Sequence, residues 1–345
     1  MTPEDFQQAV LDWFEHHGRT DLPWQNPITA YRVWISEIML QQTQVTTVIP
    51  YFERFMQSFP TVETLAHASL DNVLHHWTGL GYYARARNLH KTAQQVAFNL
   101  RGEFPQSIEQ LIDLPGIGRS TAGAIRSIAF KKPAAILDGN VKRVLARFAA
   151  VDGWPGHTKV QQKLWDIAEQ YSPQHRTADY AQAIMDLGAL LCKKTAPNCV
   201  QCPIARDCKA FAQGNPADYP GKKPKKILPV KQCLFVLLQN TEGEILLQQN
   251  PPAGLWGGLW VPPQIEQPTD LESLCYKLGL TIIDHRLLDN RRHTFSHFHL
   301  DYQPMLVEVA ENSSGVREIA NQVWYNPKNP LSLGMPAPIK ALLSD

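Results

Sequence analysis

The sequence predicts two folded parts of different class: an all-α part over residues 1–212 and an α+β part over residues 230–345. In the first part, apolar residues recur three and four positions apart, which is the periodicity of an amphipathic helix. In the second part, short apolar runs bounded by turn residues are typical of strands. Prolines and the KKPKK run at 222–226 predict an extended linker over residues 213–229.

The individual elements follow from the same patterns. The helical segments, separated by short Pro or Gly breaks, are PEDFQQAVLDWFEHH, YRVWISEIMLQQTQVTTVIPYFERF, SLDNVLHHWTGL, RARNLHKTAQQVAFNL, STAGAIRSIAF and HTKVQQKLWDIAEQY. The predicted strands are KQCLFVLLQN, EILLQQN, LWVPPQ, FSHFHLDYQPMLVEV and QVWYNP. One further helix is predicted at DLESLCYKLG.

The charge is unevenly distributed along the chain. The total of 33 Lys and Arg against 32 Asp and Glu gives a net charge of +1. Residues 1–226 nevertheless carry 25 basic against 20 acidic side chains, and residues 227–345 carry 8 against 12. The basic half is therefore the candidate nucleic-acid-binding part. Because the chain shows no signal peptide and no run of about 20 apolar residues, we expect a cytoplasmic protein without membrane contact.

Four of the six cysteines lie within seventeen residues, a spacing that indicates a metal site. Thiolates this close together can hold one zinc ion or one cubane cluster, and the compact run with unequal gaps favours a [4Fe-4S] cluster. The predicted ligands are Cys192, Cys199, Cys202 and Cys208. Cys233 and Cys275 lie far away and are expected in the core.

Two acidic residues and one turn stand out in the helical part. In SIEQLIDLPGIGRSTAGAIRSIAF, Gly116 and Gly118 predict a tight turn whose backbone N–H groups can approach an anion. Asp138 precedes a helix, where an ordinary N-cap is one interpretation and an oriented functional carboxylate is another. Glu37 lies among apolar neighbours, so burial would raise its pKa, although a lone Glu on a helix usually faces solvent.

These motifs together resemble one enzyme family. The cysteine spacing is similar to the iron-sulfur loop of the endonuclease III and MutY branch of the helix-hairpin-helix DNA glycosylases. LPGIG followed by Asp138 resembles their core, and SEIMLQQTQV resembles the MutY segment around the general acid. The resemblance implies a helix-hairpin-helix glycosylase core with a [4Fe-4S] loop at 192–208.

The resemblance also implies the reaction. It predicts a DNA glycosylase of base excision repair that removes adenine opposite 8-oxoguanine or guanine in double-stranded DNA. Glu37 would protonate the leaving adenine, Asp138 would stabilise the sugar cation or attack C1′, and Asn140 would position water. Endonuclease III enzymes carry a nucleophilic Lys where this sequence has Ser120, so we expect a monofunctional enzyme that leaves an abasic site.

Two alternatives remain open from the sequence. One is a bifunctional pyrimidine glycosylase, which Ser120 and the additional α+β part disfavour. The other is a non-catalytic, redox-responsive DNA-binding protein. Loss of base release in a Glu37→Gln variant that still binds DNA would separate catalysis from binding alone.

The resemblance assigns further contacts with the substrate. Gln42, Leu80 and Tyr82 would examine the duplex around the mispair, and Trp24 and Gln182 would line the adenine pocket. Gly116, Gly118 and Ser120 belong to the predicted DNA-binding hairpin. Each of the apolar residues has an ordinary core interpretation, and each amide an ordinary surface interpretation.

The α+β part resembles the MutT-like (Nudix-like) C-terminal domain of the MutY family. In RHTFSHFHL, Phe295, Ser296 and His297 match the loop that recognises 8-oxoguanine, while a buried strand is the alternative interpretation. The acid cluster REUxEExG that holds magnesium in Nudix hydrolases is missing, so we expect no nucleotide hydrolysis. We also expect a monomer.

Overall fold

The computed structural model describes residues 1–224, 227–311 and 321–344. The chain forms two compact units, and one segment from the helical part of the sequence belongs to the second unit. The helical unit contains Met1–His67 and Asn88–Lys225, whereas the sheet-containing unit contains Ala68–Arg87 and Lys226–Asp345. The domain boundaries predicted from the sequence do not assign Ala68–Arg87 to the second unit, and they stay a prediction. Residues 225 and 226 of the predicted linker lie outside the described residues.

The first 212 residues are helical, as the apolar periodicity predicts. The helices are α1 Pro3–His17, α2 Ala30–Leu40, α3 Val45–Ser58, α4 Val62–His67, α5 Leu70–Trp77, α6 Ala84–Gln94, α7 Ile108–Ile112, α8 Arg119–Ala124, α9 Gly139–Phe148, α10 Thr158–Gln170, α11 Thr177–Asp186 and α12 Lys209–Ala212. Wider π-helical turns extend α6, α8 and α11. Polar caps fix several starts: Thr2, Ser69 and Ser107 each accept a backbone N–H of the first turn.

The core of the helical unit collects the apolar faces of α1, α9, α10 and α11. Phe6 of α1 packs against Phe148 and Tyr171, with ring centroids 4.8 and 4.7 Å apart. Because α9 is buried along one face in this core, its first residues are held in a fixed place. The hairpin of α7 and α8 lies before α9 in the chain, and both elements contribute to the site described below.

Within the described residues, the sheet-containing unit is built on one mixed sheet of eight strands. The strands are β1 Val230–Gln239, β2 Ile245–Gln249, β3 Trp260–Val261, β4 Gln264–Ile265, β5 Leu280–Leu287, β6 Arg291–Thr294, β7 His299–Glu311 and β8 Gln322–Tyr325. Their order is β3-β2-β1-β7-β5, with β4 beside β1, β6 beside β7 and β8 beside β2. β1 and β7 run parallel, and the other described pairs are antiparallel.

One helix covers this sheet and completes a separate core. Leu271 and Cys275 of α13 (Leu271–Leu278) pack with Val236, Leu238 and Val307 of the central strands. A last helix, α14, spans Ala337–Leu342. Cys275 therefore belongs to the core, as the sequence predicts. A helical part followed by an α+β part is confirmed.

Several details of the sheet differ from the sequence prediction. The run LWVPPQ was predicted as one strand, but the two short strands β3 and β4 lie there, and β6 was not predicted. The run FSHFHLDYQPMLVEV was predicted as one strand, but residues 295–298 form the turn between β6 and β7, which pair through Thr294 and His299. Strand β5 was not predicted, because most of its side chains are exposed and the run lacks a buried alternating face. None of the helices in the described residues has the length and apolar character needed to cross a membrane.

Candidate active site

Glu37 is an ionisable side chain on an otherwise buried stretch of α2. Trp34 and Ile35 are fully buried and Ile38 nearly so, whereas Glu37 keeps part of its surface accessible. Burial, followed by the negative charge of Asp138, raises the pKa of Glu37 from 4.5 to about 8. As the sequence predicts, desolvation keeps this carboxyl protonated at neutral pH. Glu37 can therefore donate a proton.

Asp138 is the N-cap of α9 and is held by two hydrogen bonds. Its Oδ1 accepts the backbone N–H of Val141 at 2.8 Å, and its Oδ2 accepts Nδ2 of Asn140 at 3.1 Å. The helix N-terminus also favours a negative charge at this position. Both interpretations of Asp138 from the sequence therefore describe one geometry: a cap is also a fixed carboxylate. Asp138 can stabilise a cation that develops beside it.

The α7–α8 hairpin connects to Asp138 through Ser120. The hydroxyl of Ser120 accepts the backbone N–H of Leu137, the residue before Asp138, at 3.0 Å. Gly116 has φ +81°, and a Cβ there would lie 2.9 Å from Cβ of Asn88. Gly118 is exposed, with open space around its missing Cβ. Only glycine therefore fits at Gly116 without a shift, and the exposed turn carries the N-terminus of α8.

Arg143 joins the start of α9 to the cysteine segment, a connection that sequence reasoning missed. Its side chain donates to Oδ1 of Asn140 at 2.9 Å, to the carbonyl of Gly188 at 2.6 Å and to the carbonyl of Cys192 at 2.6 Å. A Cβ on Gly188 would lie 2.6 Å from Cβ of Asn140, so glycine is needed for this close approach. Asn140 is therefore positioned by both Asp138 and Arg143.

Trp24 and Gln182, which were predicted to line an adenine pocket, each have a defined contact in the structure. Trp24 is buried in the short helical turn Pro23–Gln25, with its ring 5.5 Å from that of Phe52. Gln182 donates from Nε2 to Oδ1 of Asp186 at 2.8 Å. Asp186, which is 0% exposed, also accepts the backbone N–H and Nε of Arg19 at 2.7 and 2.9 Å. This buried ion pair, also missed from the sequence, fixes the amide end of Gln182.

The three residues predicted to examine the duplex differ in exposure. Gln42 is exposed and has φ +63°, in the left-handed region. Tyr82 is 50% exposed with φ +49°, whereas Leu80 is only 6% exposed. Gln42 belongs to the helical unit, and Leu80 and Tyr82 belong to the sheet-containing unit. The side chain of Leu80 therefore belongs to the buried residues of its unit, whereas those of Gln42 and Tyr82 are accessible.

The turn at residues 295–298 has two polar side chains at its tip and two stacked phenylalanine rings at its ends. The backbone N–H of Phe295 donates to the carbonyl of Phe298 at 2.9 Å, and their rings stack at 4.5 Å. Ser296 and His297 are exposed at the tip, with Ser296 Oγ 3.4 Å from His297 Nδ1. The turn is thus rigid at its base and accessible at its two hydrogen-bonding side chains.

The four clustered cysteines line one cavity beside α9 and α12, together with Arg147, Leu191 and Ile204. Within residues 1–224, 227–311 and 321–344, no three His, Cys, Asp or Glu side chains have the arrangement of a metal site. Burial, with a smaller contribution from the neighbouring cysteines, raises the pKa of Cys202 to about 12. Such thiolates need a cation for their stability, so the donor set fits a soft metal or an iron-sulfur cluster.

Arg147 is the buried cation next to these cysteines. It is 2% exposed and donates to Sγ of Cys192 at 3.3 Å and to the carbonyl of Lys193 at 2.7 Å. It also donates to the carbonyl of Tyr219 at 3.0 Å, at the start of the predicted linker. In the sequence, Arg143 and Arg147 look like ordinary helix-surface cations. Their spacing of four, which places both on one face of α9, was the available signal.

Comparison with known proteins gives two family matches. Residues 35–170 match the HhH-GPD superfamily of base excision DNA repair proteins. Residues 234–345 match the NUDIX domain. The two matches cover the helical part and the sheet-containing part in the order that the sequence predicts.

Two named relatives match over all or most of this chain. The chain is 40% identical to the adenine DNA glycosylase of Buchnera aphidicola subsp. Acyrthosiphon pisum (strain APS), covering 100% of this chain and 98% of that protein. It is 36% identical to the adenine DNA glycosylase of Homo sapiens, covering 86% of this chain and 66% of that protein.

Solved structures resemble the helical part. A thermostable thymine-DNA glycosylase superposes with a TM-score of 0.56 at 26% identity, covering 61% of this chain and 97% of that one. A non-covalent endonuclease III–DNA complex gives a TM-score of 0.52 at 20% identity, covering 62% of this chain and 98% of that one. The predicted glycosylase-type helical core is confirmed by this shared fold.

Proposed function

The chain belongs to the adenine DNA glycosylase family, and we propose that its substrate is adenine mispaired with 8-oxoguanine or guanine in double-stranded DNA. As a DNA N-glycosylase of base excision repair, it hydrolyses the bond between adenine and deoxyribose. The product in this proposal is an abasic site without an efficient strand cut.

The observation that carries the proposed mechanism is a pair of carboxyls in different surroundings: Glu37 is desolvated on α2, and Asp138 is held by two hydrogen bonds at the start of α9. Glu37, with its pKa raised to about 8, gives a proton to a ring nitrogen of adenine, so the base leaves as a neutral molecule. Asp138 stays close to the sugar and stabilises the developing oxocarbenium ion. Asn140, which bonds Asp138 and Arg143, orients the water that completes hydrolysis.

The monofunctional assignment rests on Ser120. A hydroxyl in hydrogen-bonding contact with the Leu137 N–H offers no amine to form a Schiff base with the sugar. The rival bifunctional enzyme would cut the strand at the abasic site without added base or heat. Robust cleavage of that kind would contradict the proposal.

The remaining predicted residues take supporting roles in this proposal. Trp24 and Gln182 line the adenine pocket, Gln42, Leu80 and Tyr82 contact the duplex, and Gly116 and Gly118 place backbone donors near a phosphate. Phe295, Ser296 and His297 read the base opposite adenine. Ser and His supply hydrogen-bond groups that can distinguish the oxidised edge of guanine, and the exposure of both side chains supports this role.

We place a [4Fe-4S] cluster at the cysteine cavity as part of the proposal. Cys192, Cys199, Cys202 and Cys208 would hold it through their thiolates, and all four line the same cavity. When bound, the cluster supplies structural rigidity to the segment that follows α11. Adenine release in this mechanism uses Glu37, Asp138 and Asn140 and transfers no electron.

The deciding experiment is a single-turnover assay on duplexes with adenine opposite 8-oxoguanine, guanine, cytosine or thymine. We expect release in the order 8-oxoguanine, guanine, then the other two. Glu37→Gln should abolish release while duplex binding persists. Glu53→Gln, an exposed position on α3, is the matched control and should keep the native rate. Release by Glu37→Gln at the native rate would refute the assigned chemistry.

A further inference from the structure

The segment of residues 68–87 folds with the C-terminal residues although it lies within the helical part of the sequence. Leu74 of α5 is fully buried, and a Cβ on Gly334 would lie only 2.5 Å from its Cβ. The backbone at Gly334 also accepts the N–H of Trp260 at 2.9 Å. The backbone at Gly334 therefore lies directly against α5 and is hydrogen-bonded to β3.

Polar contacts fix α5 and the start of α6 to the same unit. Oδ1 of Asp71 accepts Nε1 of Trp260 at 2.9 Å and Nε2 of Gln249 at 3.2 Å. Arg87 donates to the carbonyl of Gly257 at 2.7 Å. These bonds lie on either side of residues 78–83, which we call the reading loop because it contains two of the residues proposed to contact the duplex.

One backbone carbonyl connects to both ends of the reading loop. The hydroxyl of Tyr83 donates to the carbonyl of Met335 at 3.1 Å. The hydroxyl of Thr78 lies 3.3 Å from the same oxygen and 3.1 Å from the carbonyl of Leu74. Met335 itself is buried, so its carbonyl is a fixed point. The four residues between Thr78 and Tyr83 are thus closed off by a residue about 250 positions later.

The reading loop has a backbone that needs such support. Gly79, Gly81 and Tyr82 have φ values of +102°, +70° and +49°. A non-glycine residue in this region costs on the order of 1 to 2 kcal/mol and persists only when its surroundings hold it there. Arg85 contributes from within the segment, donating to the carbonyls of Leu80 and Gly81 at 3.0 and 3.2 Å.

We propose that the C-terminal residues of the chain act as a positioning site for the reading loop, through the Met335 carbonyl and the Asp71–Trp260 contact. The unit that carries the turn at 295–298 then also sets the conformation of Leu80 and Tyr82. This proposal rests on the proposed function, because it assumes that the reading loop contacts the duplex. It adds Asp71, Tyr83, Gly334 and Met335 to the residues on which mispair recognition depends.

Hydrogen exchange of the DNA-free, full-length protein tests the positioning directly. Tyr83→Phe removes the hydroxyl that bonds Met335, and we expect amide exchange in peptides covering 78–83 to become about 2- to 10-fold faster. Peptides from α8 to α9 should keep their native rates. Tyr276→Phe, which changes an 86% exposed tyrosine of α13, is the matched control and should leave residues 78–83 unchanged.

A second pair of variants tests the contact at Asp71. Asp71→Leu removes the acceptor of Trp260 Nε1 and one of the two acceptors of Gln249 Nε2, and exchange at 78–83 should rise at least about 10-fold. Asp71→Asn keeps a carbonyl oxygen of the same shape and should stay within about 3-fold of native exchange. If Asp71→Leu does not fold, Tyr83→Phe decides the question together with its control.

The functional consequence is measured as affinity for a duplex with a non-hydrolysable 2′-fluoro adenosine analogue opposite 8-oxoguanine. Tyr83→Phe should weaken the Kd about 3- to 10-fold, whereas Tyr276→Phe should not. Unchanged exchange in Tyr83→Phe, or faster exchange with an unchanged Kd, would overturn the positioning role. The exchange measurement uses no DNA, so failure of the proposed glycosylase chemistry would appear separately in the Glu37→Gln assay.

Discussion

The surroundings of Glu37 and of Asp138 differ in the way that acid catalysis requires. Glu37 lies in the middle of α2 among Trp34, Ile35 and other buried apolar side chains, which disfavour its charge. Asp138 lies at the start of α9, where a helix N-terminus and two hydrogen-bond donors favour its charge. The same functional group thus serves as a proton donor in one place and as a hydrogen-bonded carboxylate beside a helix N-terminus in the other.

The largest expected effect comes from neutralising the anion while keeping its structural role. Asp138→Asn retains a good N-cap, so α9 should stay folded. Without the charge, stabilisation of the oxocarbenium ion is lost, and adenine release should fall about 10²- to 10³-fold. Single-turnover rates together with circular dichroism check this. A variant that keeps more than a tenth of the native rate would remove Asp138 from the charge-stabilising role.

The next effect is the contribution of Glu37 to the pH dependence of the free energy of unfolding. Its folded pKa lies above the ordinary value, so between pH 4.5 and about 8 the folded state holds a proton that the unfolded state releases. The free energy of unfolding should therefore fall as pH rises through this window, by roughly 2 to 4 kcal/mol. Urea unfolding of Glu37→Gln between pH 5 and pH 8 should show a shallower decline. Parallel curves for the two proteins would contradict the burial of this carboxyl.

A smaller effect is expected in the pH dependence of the reaction. Protonated Glu37 is the active form, so the single-turnover rate should fall tenfold per pH unit above about 8. Glu53→Gln should show the same profile because it leaves the acid untouched. A rate that stays constant to pH 10 would assign the proton donation to another group.

The smallest expected effect reaches Asp138 indirectly. Ser120→Ala removes the acceptor for the Leu137 N–H, a bond worth about 1 kcal/mol, and should slow adenine release about 3- to 10-fold. Ser120→Thr keeps the hydroxyl and should restore most of the rate. Equal rates in both variants would show that the hydroxyl does not position Asp138.

Several parts of the fold and site were predictable because the information is local. Helix periodicity gave the helices of the first part, and the Gly-containing turn gave the hairpin of α7 and α8. Asp138 precedes a helix in the sequence, so its capping geometry could be anticipated. The apolar neighbours of Glu37 are adjacent in sequence on α2, which is why the rise in its pKa could be anticipated as well.

Other features depend on contacts that the sequence does not encode locally. Arg143 and Asp186 resemble surface charges until Asn140, Cys192 and Arg19 are placed beside them. Strand β5 has few buried side chains, so its pairing with β7 supplies the order that its own pattern lacks. The ends of the reading loop are bonded to a backbone carbonyl at Met335, and the sequence pattern does not show where a backbone carbonyl will lie.

Residues 68–87 fold with residues from the end of the sequence, and this has a consequence for biosynthesis. Asp71 bonds Trp260, which lies 189 residues later in the sequence, and His75 bonds the carbonyl of Leu333, which lies 258 residues later. Contacts of such separation form late because a long loop must close first. On the ribosome, α5 therefore emerges early with its partners not yet made. The helical part can assemble during translation, but residues 68–87 complete their native packing only after residues 333–335 have been synthesised.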